Sequence, residues 1–422
     1  MSKKEYPTTD KGWAKYLTIE NYYTFNEIEY RKLRIVKSDC DYDKIIKRIK
    51  EYRKKQRNLI FEFKEKRFYF VETLELQNRV EKIKNFWKSK EYFVKEKFSL
   101  ELFQDTLIYE GFYSSTIEGA HSTVVKAERL AKGYDEPENK DEIMVLNNFK
   151  ALQELRDIDE LVSHELIKKI HKITTDKTLE YEKDSGEYRK EPNEIVDAYQ
   201  KVIFTPPSNI DVMNKMLDKL LEFLEPDDFK KPIDNIYSSI AFHFLFAYIH
   251  PFIDGNGRTV RILFTYLLKH YGYDMFYYIS LSEIIYKKPK NYYQAFIDVE
   301  RSDLNEKNNF DMTYFFYYLT DIMLEGLDIL KNRINTYLRE DVIIHRVKNQ
   351  NIDLSPRQRK IIKFLSNKNT SFLQTTEDLA KRFDISVRTV QKDLKILRDF
   401  ELVERVKVPK KRKYYFRLNT NL

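Results

Sequence analysis

The sequence predicts a mainly α-helical protein with one β-hairpin in its core domain and a winged helix-turn-helix domain at its C-terminal end. Amphipathic helical patterns alternate with short turns from residue 96 to residue 335. Short β-like runs interrupt them near residues 186–208, and the last part of the chain has the order helix, helix, turn, helix, hairpin. With 422 residues, the chain is long enough for two or three domains.

The helical patterns divide the chain into four predicted regions. These are an N-terminal helical region, a core domain, a connecting helix and a C-terminal domain, over residues 1–95, 96–335, 336–354 and 355–422. In the first region Ile45, Ile46 and Ile49 recur at helical spacing within "YDKIIKRIKEYRKKQRNLIFEFKEKRFYF". We expect this stretch to be helical and to be a structural layer without a site of its own.

The one β-like segment is "GEYRKEPNEIVDAYQKVIFTPPS", at residues 186–208. Its two short runs, 194–196 and 201–205, are joined by a few polar residues, and Pro206 and Pro207 stop the second run. This pattern predicts a β-hairpin.

The basic charge of the protein is concentrated at one end. The net charge is +8, but residues 355–422 hold 18 Lys and Arg against 7 Asp and Glu, so the rest of the chain is slightly acidic. A polyanionic partner should therefore contact the C-terminal domain.

We expect a cytoplasmic protein without a membrane segment. The first residues lack the apolar core of a signal peptide, and the longest apolar run, "AFHFLFAYI", contains a histidine and is too short to span a bilayer. The single cysteine, Cys40, cannot form an internal disulfide.

The C-terminal domain has the sequence signals of a winged helix. Ser355 and Pro356 open the first helix as N-cap and first helical residue, "TTEDLAKRFDI" joins "SVRTVQKDLKILRDF" through a short turn, and "VPKKRK" forms the tip of a hairpin. In such domains the second of these helices enters the major groove and the wing contacts phosphates. A basic module that docks on protein is the alternative. The predicted DNA contacts are Arg388, Thr389, Gln391, Lys392, Lys395, Lys410, Lys411, Arg412 and Lys413.

The stretch "HPFIDGNGRTVR", residues 250–261, concentrates chemically useful groups in a chain with nine glycines. Pro251 ends the preceding helix and leaves His250 at its end, where the imidazole can act as a general base. Asp254 offers a hard oxygen to Mg²⁺, which often binds one carboxylate together with substrate phosphates.

The second half of this stretch resembles an anion site. Gly255 and Gly257 permit unusual backbone conformations, and a helix that starts at about Arg258 would present free N–H groups to phosphates. Arg258 and Arg261 are three residues apart, on one helix face, and would clamp a polyphosphate. A buried histidine followed by an ordinary turn is the alternative, which the density of functional groups disfavours.

This stretch matches the signature His-Pro-Phe-x-(Asp/Glu)-Gly-Asn-Gly-Arg-x-x-Arg, and the protein therefore resembles the Fic family from about residue 110 to 305. The resemblance implies a helical Fic core that uses Mg²⁺ and ATP to transfer AMP to a hydroxyl of a target protein, with release of pyrophosphate. His250 would be the base and Asp254 the metal ligand. The residues expected to bind the phosphates are Gly255, Asn256, Gly257, Arg258 and Arg261.

The resemblance also assigns roles to the flanking segments. The hairpin would be the flap on which the backbone of the target docks as an added strand, through Glu194, Ile195 and Val196. Tyr292 and Tyr293 in "NYYQAF" are candidates for the adenine pocket, with simple packing in the core as the alternative. Some relatives that transfer phosphate replace the second glycine of the loop, whereas Gly257 is intact here, which favours AMP transfer.

Upstream of the core, "SSTIEG" resembles the inhibitory motif of Fic proteins that carry an inhibitory helix on the N-terminal side, here at about residues 110–120. Ser114, Glu118 and Gly119 are its defining residues. Glu118 would pair with Arg261 and occupy donors that the γ-phosphate needs.

Three functional alternatives follow from the sequence. The protein is expected to be an autoinhibited AMP transferase that modifies a target protein or itself; it could instead be a DNA-binding regulator whose Fic core senses nucleotide, or an enzyme that removes AMP. The intact His250 favours a transferase over a nucleotide sensor. The oligomeric state is left open, with a homodimer as one candidate.

Overall fold

The structure is a computed structural model, and it describes residues 6–97, 100–196, 202–225, 233–302, 307–366, 374–407 and 414–419. The chain forms two compact units, Met1–Leu327 and Asp328–Leu422. None of the helices in these described ranges is both long and apolar enough to cross a membrane.

The first unit is mainly helical. Its helices are Asp10–Lys15, Phe25–Tyr30, Lys32–Val36, Tyr42–Lys55, Leu74–Lys97, Leu100–Ile117, Val124–Ala131, Lys140–Glu154, His164–Thr175, Ile210–Leu224, Asn235–Ile249, Asn256–His270, Leu281–Lys287 and Pro289–Ser302. A further helix, Thr313–Asn349, begins in the first unit and ends in the second.

The prediction that the N-terminal region is helical throughout was wrong for residues 57–71. Strands Arg57–Phe63 and Lys66–Val71 form an antiparallel hairpin there. Lys64, with φ of +53°, makes the turn without glycine, so no turn signal marks it in the sequence. The aromatic and β-branched residues around this turn favour strands. Strand Asn309–Asp311 adds to Lys66–Val71 in parallel, with Arg67 opposite Asn309.

The predicted hairpin at 186–208 is present. Strands Ile195–Val196 and Val202–Phe204 pair antiparallel, with Ile195 opposite Phe204. Glu194 lies immediately before the first strand. We call these two strands together with Glu194 the flap; residues 197–201 lie outside the described residues.

Two helices form the centre of the first unit, and both are almost entirely buried. Asn235–Ile249 carries the apolar run found in the sequence, and Asn256–His270, which we call the motif helix, follows it after a short loop. Since polar and charged side chains of the motif helix are buried together with its apolar ones, they need partners inside the protein.

The second unit confirms the predicted winged helix-turn-helix arrangement. Helices Pro356–Ser366, Thr376–Phe383 and Val387–Asp399 are followed by the antiparallel strands Val403–Lys407 and Tyr414–Leu418. The cap predicted at Ser355 is confirmed, since its hydroxyl accepts a hydrogen bond from a backbone N–H of the helix that follows. Thr375 and Ser386 cap the next two helices in the same way. An isolated antiparallel β-bridge between Gln374 and Phe416 places Gln374 beside the second strand of the wing.

Five of the nine predicted DNA contacts lie among the described residues, all on the helix Val387–Asp399. Arg388, Gln391, Lys392 and Lys395 are exposed on the helix Val387–Asp399, while Val390, Leu394 and Leu397 on its other face are buried. Thr389 is half-buried, and its hydroxyl is 2.8 Å from that of Ser386. Residues 410–413 lie outside the described residues.

Candidate active site

His250 lies where the helix Asn235–Ile249 ends, as predicted. It has a left-handed backbone conformation with φ of +53°, and its N–H donates to the carbonyl of Phe246. Its Nδ1 is 3.3 Å from the carbonyl oxygen of Ala247. Because a carbonyl only accepts, the neutral imidazole carries its proton on Nδ1, which leaves the Nε2 lone pair to accept a proton.

Burial lowers the pKa of His250 to about 4, against opposing effects of the Ala247 carbonyl and of Glu118. The imidazole is therefore neutral at physiological pH and in the state required of a general base.

The loop after His250 is closed by the side chain of Asn256. Its Oδ1 accepts from the N–H of Phe252 at 3.0 Å, and its Nδ2 donates to the carbonyl of the same residue at 2.8 Å. The amide thus shapes the loop, and the phosphate-binding role that the resemblance implies for Asn256 stays a prediction. Gly255 has φ of +83°, and a Cβ there would be 2.7 Å from Thr175, so both backbone conformation and space require glycine.

The motif helix begins at Asn256, two residues earlier than predicted, which places Gly257 in its first turn. Gly257 has no left-handed conformation, and its role is to leave space. A Cβ on Gly257 would be 2.2 Å from Oε1 of Glu118. The carboxylate of Glu118 therefore lies directly over the first turn of the helix, where free N–H groups favour an anion.

Glu118 and Arg261 form the ion pair that the sequence predicted. Oε1 of Glu118 is 2.8 Å from a terminal nitrogen of Arg261, whose guanidinium is 3% exposed. Ser114 accepts from the same guanidinium with its hydroxyl at 3.0 Å and its carbonyl at 2.8 Å. The other terminal nitrogen of Arg261, NH1, has no hydrogen-bond partner among the described residues. A buried guanidinium nitrogen without a partner indicates a site for a further anionic group.

The segment predicted to be inhibitory is held by its own helix, Leu100–Ile117. Glu110, one turn before Ser114, is buried and accepts from the hydroxyl of Ser280 and from the N–H of Ser282, both at 2.9 Å. Gly119 follows with φ of +92°, which ends the helix and turns the chain away. These contacts fix the register in which Glu118 reaches Arg261.

Arg258 and Arg261 do not share partners. Arg258 is 1% exposed and donates to the carbonyl of Thr174 at 2.9 Å, and its Nε has no partner among the described residues. Burial lowers the pKa of this guanidinium. Its terminal nitrogen is 3.8 Å from the carboxylate of Asp254.

The residues present fit Mg²⁺ bound together with a phosphate chain. The carboxylate of Asp254 is largely exposed and accepts from the N–H of Gly255 at 2.6 Å. One carboxylate oxygen beside a phosphate cradle is the protein contribution that Mg²⁺ usually receives. No group of three or more His, Cys, Asp or Glu side chains arranged to hold a metal alone occurs among the described residues.

His171 is a site residue that sequence reasoning missed. It is 1% exposed and stacks on Phe252 with ring centroids 3.6 Å apart. Its Nδ1 accepts from the N–H of Gly186 at 2.9 Å, so its Nε2 carries the proton and donates to the carbonyl of Asp254 at 2.8 Å. Burial lowers its pKa to about 4. Within "LIKKIHKI" it could not be distinguished from a residue on an ordinary amphipathic helix.

The two tyrosines proposed for adenine differ in environment. Tyr292 is 4% exposed, and its hydroxyl is 2.8 Å from Nε2 of His243 in the core. Tyr293 is 45% exposed. Glu118 and Arg261 influence the pKa of both tyrosines, so both rings lie near the ion pair and they differ in exposure. Of the two rings, that of Tyr293 has a face available to a base.

The chain carries two recognisable domains. Residues 161–268 match the model of the Fic/DOC family, and residues 357–416 match that of an HTH domain. The protein therefore contains a Fic/DOC domain followed by a helix-turn-helix domain, as the sequence analysis expected.

Two curated relatives match part of the chain. A probable protein adenylyltransferase of Aquifex aeolicus is 40% identical over 85 residues, which are 20% of this chain and 24% of that protein. Protein adenylyltransferase Fic of Drosophila yakuba is 34% identical over 93 residues, which are 22% of this chain and 16% of that protein. The chain thus spans less than a quarter of the length of each relative.

A solved structure resembles a much larger part of the chain. The Fic family protein of Desulfovibrio desulfuricans G20 superposes with a TM-score of 0.55, over 83% of this chain and 98% of that chain. Since the two sequences are 19% identical, this likeness concerns the fold alone.

Proposed function

We propose that this protein transfers AMP from ATP to a Ser, Thr or Tyr hydroxyl on a protein, and that Glu118 holds it in an inhibited state. The observation that carries the proposal is the position of the Glu118 carboxylate over Gly257 and against Arg261, beside a neutral His250. A carboxylate of the chain itself occupies an anion pocket built from a helix N-terminus and a buried arginine.

The chemistry assigned to His250 follows from its geometry. Nε2 accepts the proton of the target hydroxyl while the hydroxyl oxygen attacks the α-phosphorus of ATP. The bond from the α-phosphorus to the bridging oxygen breaks, AMP becomes esterified to the target, and pyrophosphate leaves. The neutral state of the imidazole and the hydrogen bond from its Nδ1 to Ala247 support this role.

The phosphate chain of ATP is assigned to the first turn of the motif helix. The backbone of Gly257, with the orphaned nitrogens of Arg258 and Arg261, supports binding of the β- and γ-phosphates. Bound at Asp254, Mg²⁺ would neutralise charge that develops on the leaving pyrophosphate. The exposed face of Tyr293 is assigned to the adenine ring.

Inhibition by Glu118 is a competition between two anions. With Glu118 in place, the guanidinium of Arg261 is already paired and the space over Gly257 is filled. The γ-phosphate would therefore be excluded from its position, and ATP would bind without its α-phosphate in line with the target hydroxyl. Replacement of Glu118 by glycine frees both the guanidinium and the space.

The experiment that tests the proposal compares purified wild type, Glu118→Gly and Glu118→Gly/His250→Ala. Each protein is incubated with Mg²⁺ and ATP labelled at the α- or the γ-phosphate, alone and with a cell extract as a source of targets. We expect protein labelling from the α-position only, at least about tenfold stronger in Glu118→Gly than in wild type, and lost with His250→Ala. Glu136→Gly, which removes an exposed carboxylate without a recorded partner, serves as the matched control.

Other outcomes separate the alternatives. Label from the γ-position would mean phosphate transfer with ATP bound in reverse. Loss of α-label from a pre-labelled protein, faster in wild type than in Glu118→Gly, would mean that Glu118 helps to remove AMP. Labelling that is equal in wild type and Glu118→Gly would overturn the inhibitory role of Glu118.

We further propose that the helix-turn-helix domain binds DNA. This proposal is supported by the exposed cations on the helix Val387–Asp399 and by the net positive charge of residues 355–422. DNA binding would bring the transferase to DNA. In the alternative function, the protein would be a DNA-binding regulator whose Fic core senses nucleotide. Salt-dependent binding to DNA duplexes tests it, as detailed in the Discussion.

A further inference from the structure

Arg189 is a buried arginine without an acidic partner, located between the helix His164–Thr175 and the flap. It is 2% exposed, and among the described residues it forms no ion pair with a carboxylate. Burial alone lowers its pKa. Since removing a guanidinium from water is costly, its retention without a counter-charge needs an explanation.

The guanidinium of Arg189 is satisfied by three carbonyl oxygens. Its Nε donates to His250 at 2.9 Å, NH1 to Glu191 at 3.0 Å and NH2 to Pro207 at 2.7 Å. The backbone N–H of Arg189 donates to the carbonyl of Pro251 at 2.9 Å. These charge-assisted hydrogen bonds offset the desolvation of the guanidinium.

The three acceptors lie at functionally distinct places. Glu191 precedes the first strand of the flap, and Pro207 follows the second strand. His250 is the proposed base, and its φ of +53° is a conformation that surrounding contacts must maintain. One side chain therefore ties both ends of the flap to the backbone of the base. A second tie runs from Nδ2 of Asn193 to the carbonyl of Phe252, at 3.2 Å.

We propose that Arg189 is a positioning residue that couples the flap to His250 and so sets the distance between a docked target hydroxyl and the base. A target that adds a strand to the flap is then held in register with Nε2 of His250, because flap and base share one rigid anchor. Lysine cannot replace the arginine, since a single ammonium does not span three carbonyls in a plane.

The contacts of Arg189 do not include the phosphate pocket. The guanidinium of Arg189 bonds to carbonyls of His250, Glu191 and Pro207. The side chains of Arg258 and Arg261 contact other groups. Loss of Arg189 should therefore impair the alignment of the target and leave the affinity for ATP unchanged. A merely structural role would instead weaken all functions together.

Since this role rests on the AMP transfer proposed above, the test includes a measurement that needs no activity. Amide hydrogen exchange is compared in full-length Glu118→Gly, Glu118→Gly/Arg189→Lys and Glu118→Gly/Arg129→Lys. Arg129 also makes a forked contact, with Asp135, but on an exposed surface. In the Arg189 variant we expect about tenfold faster exchange both in the flap strands and at Phe252 and Gly255, without change in the helix Asn235–Ile249.

Exchange that accelerates in the flap alone, in the loop alone or throughout the first unit would overturn the coupling. If Arg189→Lys does not fold, Asn193→Ala removes the weaker tie from a half-buried position and should accelerate the same two segments to a smaller extent. Unchanged exchange in that variant would contradict the proposal.

The activity measurement uses Mg-ATP labelled at the α-phosphate, with the His250→Ala chain as acceptor. We expect the rate at saturating ATP to fall at least about tenfold in the Arg189 variant, while the KM for ATP changes less than about twofold. A parallel rise in the KM for ATP would overturn the positioning role. If Glu118→Gly transfers no label either to this acceptor or to the cell extract, the proposed function fails, and hydrogen exchange still decides the coupling.

Discussion

The arginines at the start of the motif helix and the cations of the helix-turn-helix domain are in opposite environments. Arg258 and Arg261 are 1% and 3% exposed, and each retains a nitrogen without a partner among the described residues. Arg388 and Lys392 are exposed to solvent, which satisfies their charges. A buried cation with an unsatisfied donor indicates both where an anionic ligand binds and that the ligand is negatively charged. An exposed cation indicates only that its binding partner is negatively charged.

The largest effect is expected at His250, because the neutral imidazole is the group assigned to accept the proton of the target hydroxyl. In the Glu118→Gly background, His250→Ala should lower the rate of AMP transfer by about 10³-fold, while the affinity for Mg-ATP stays within a few fold. The rate is measured with α-labelled ATP and the affinity by calorimetry.

His121→Ala in the same background is the control, since His121 is exposed and only its backbone N–H has a recorded hydrogen bond. A residual rate within tenfold of the reference would remove His250 from the role of base.

The variant Gly257→Ala tests whether displacement of Glu118 is by itself enough to activate AMP transfer. The new Cβ would be 2.2 Å from Oε1 of Glu118 and 3.1 Å from Arg261, so the ion pair must break. The same Cβ also fills the space assigned to the phosphates. We therefore expect activity at least about tenfold below that of Glu118→Gly, both for Gly257→Ala alone and for the double variant.

The three proteins are compared in one assay with α-labelled ATP. If Gly257→Ala alone were as active as Glu118→Gly, the space over Gly257 would not be the phosphate site.

Three histidines with lowered pKa values make the first unit sensitive to acid. Burial lowers the pKa of His171 and of His250 to about 4 and that of His243 to about 3. In the unfolded chain all three titrate near 6.5, so between pH 6.5 and 4 the unfolded state binds protons that the folded state does not. The free energy of unfolding should therefore fall as the pH drops through this window, by about 1.4 kcal/mol per pH unit and histidine at most.

Urea unfolding at pH 7, 6 and 5, followed by tryptophan fluorescence, measures this dependence. Trp13 and Trp87 both lie in the first unit, and residues 355–422 contain no histidine. His243→Gln should give a shallower pH dependence. An unchanged slope would mean that His243 does not stay neutral in the folded protein.

The sequence was sufficient to predict those structural features that depend on residues close together in the chain. Pro251 determines where the preceding helix ends, and the hydroxyl caps of the C-terminal helices predict their starts. His250, Asp254 and Arg261 could be assigned because the loop brings all of them together within one turn and the start of a helix.

Features that depend on distant contacts could not be predicted. His171 and Arg189 become site residues only through carbonyls of the loop, which lie more than sixty residues further along the chain. The hydrogen bonds of Asn256 to Phe252 depend on the loop conformation and could not be predicted from the sequence. The hairpin at 57–71 was missed because a lysine in left-handed conformation replaces the usual glycine or asparagine of its turn.

The smallest effects are expected in the helix-turn-helix domain, because each exposed cation contributes one screened contact. For binding to a random-sequence DNA duplex, Lys392→Ala should weaken affinity only a few fold and reduce the slope of log K against log salt by about 0.9. Fluorescence anisotropy titrations at salt concentrations from about 50 to about 200 mM measure this change in slope. Lys363→Ala, an exposed lysine on the helix Pro356–Ser366 outside the helix-turn-helix, should leave the slope unchanged. Equal slopes for both variants and wild type would mean that the helix Val387–Asp399 does not contact DNA phosphates, and its cations would then be better explained by docking on an acidic protein surface.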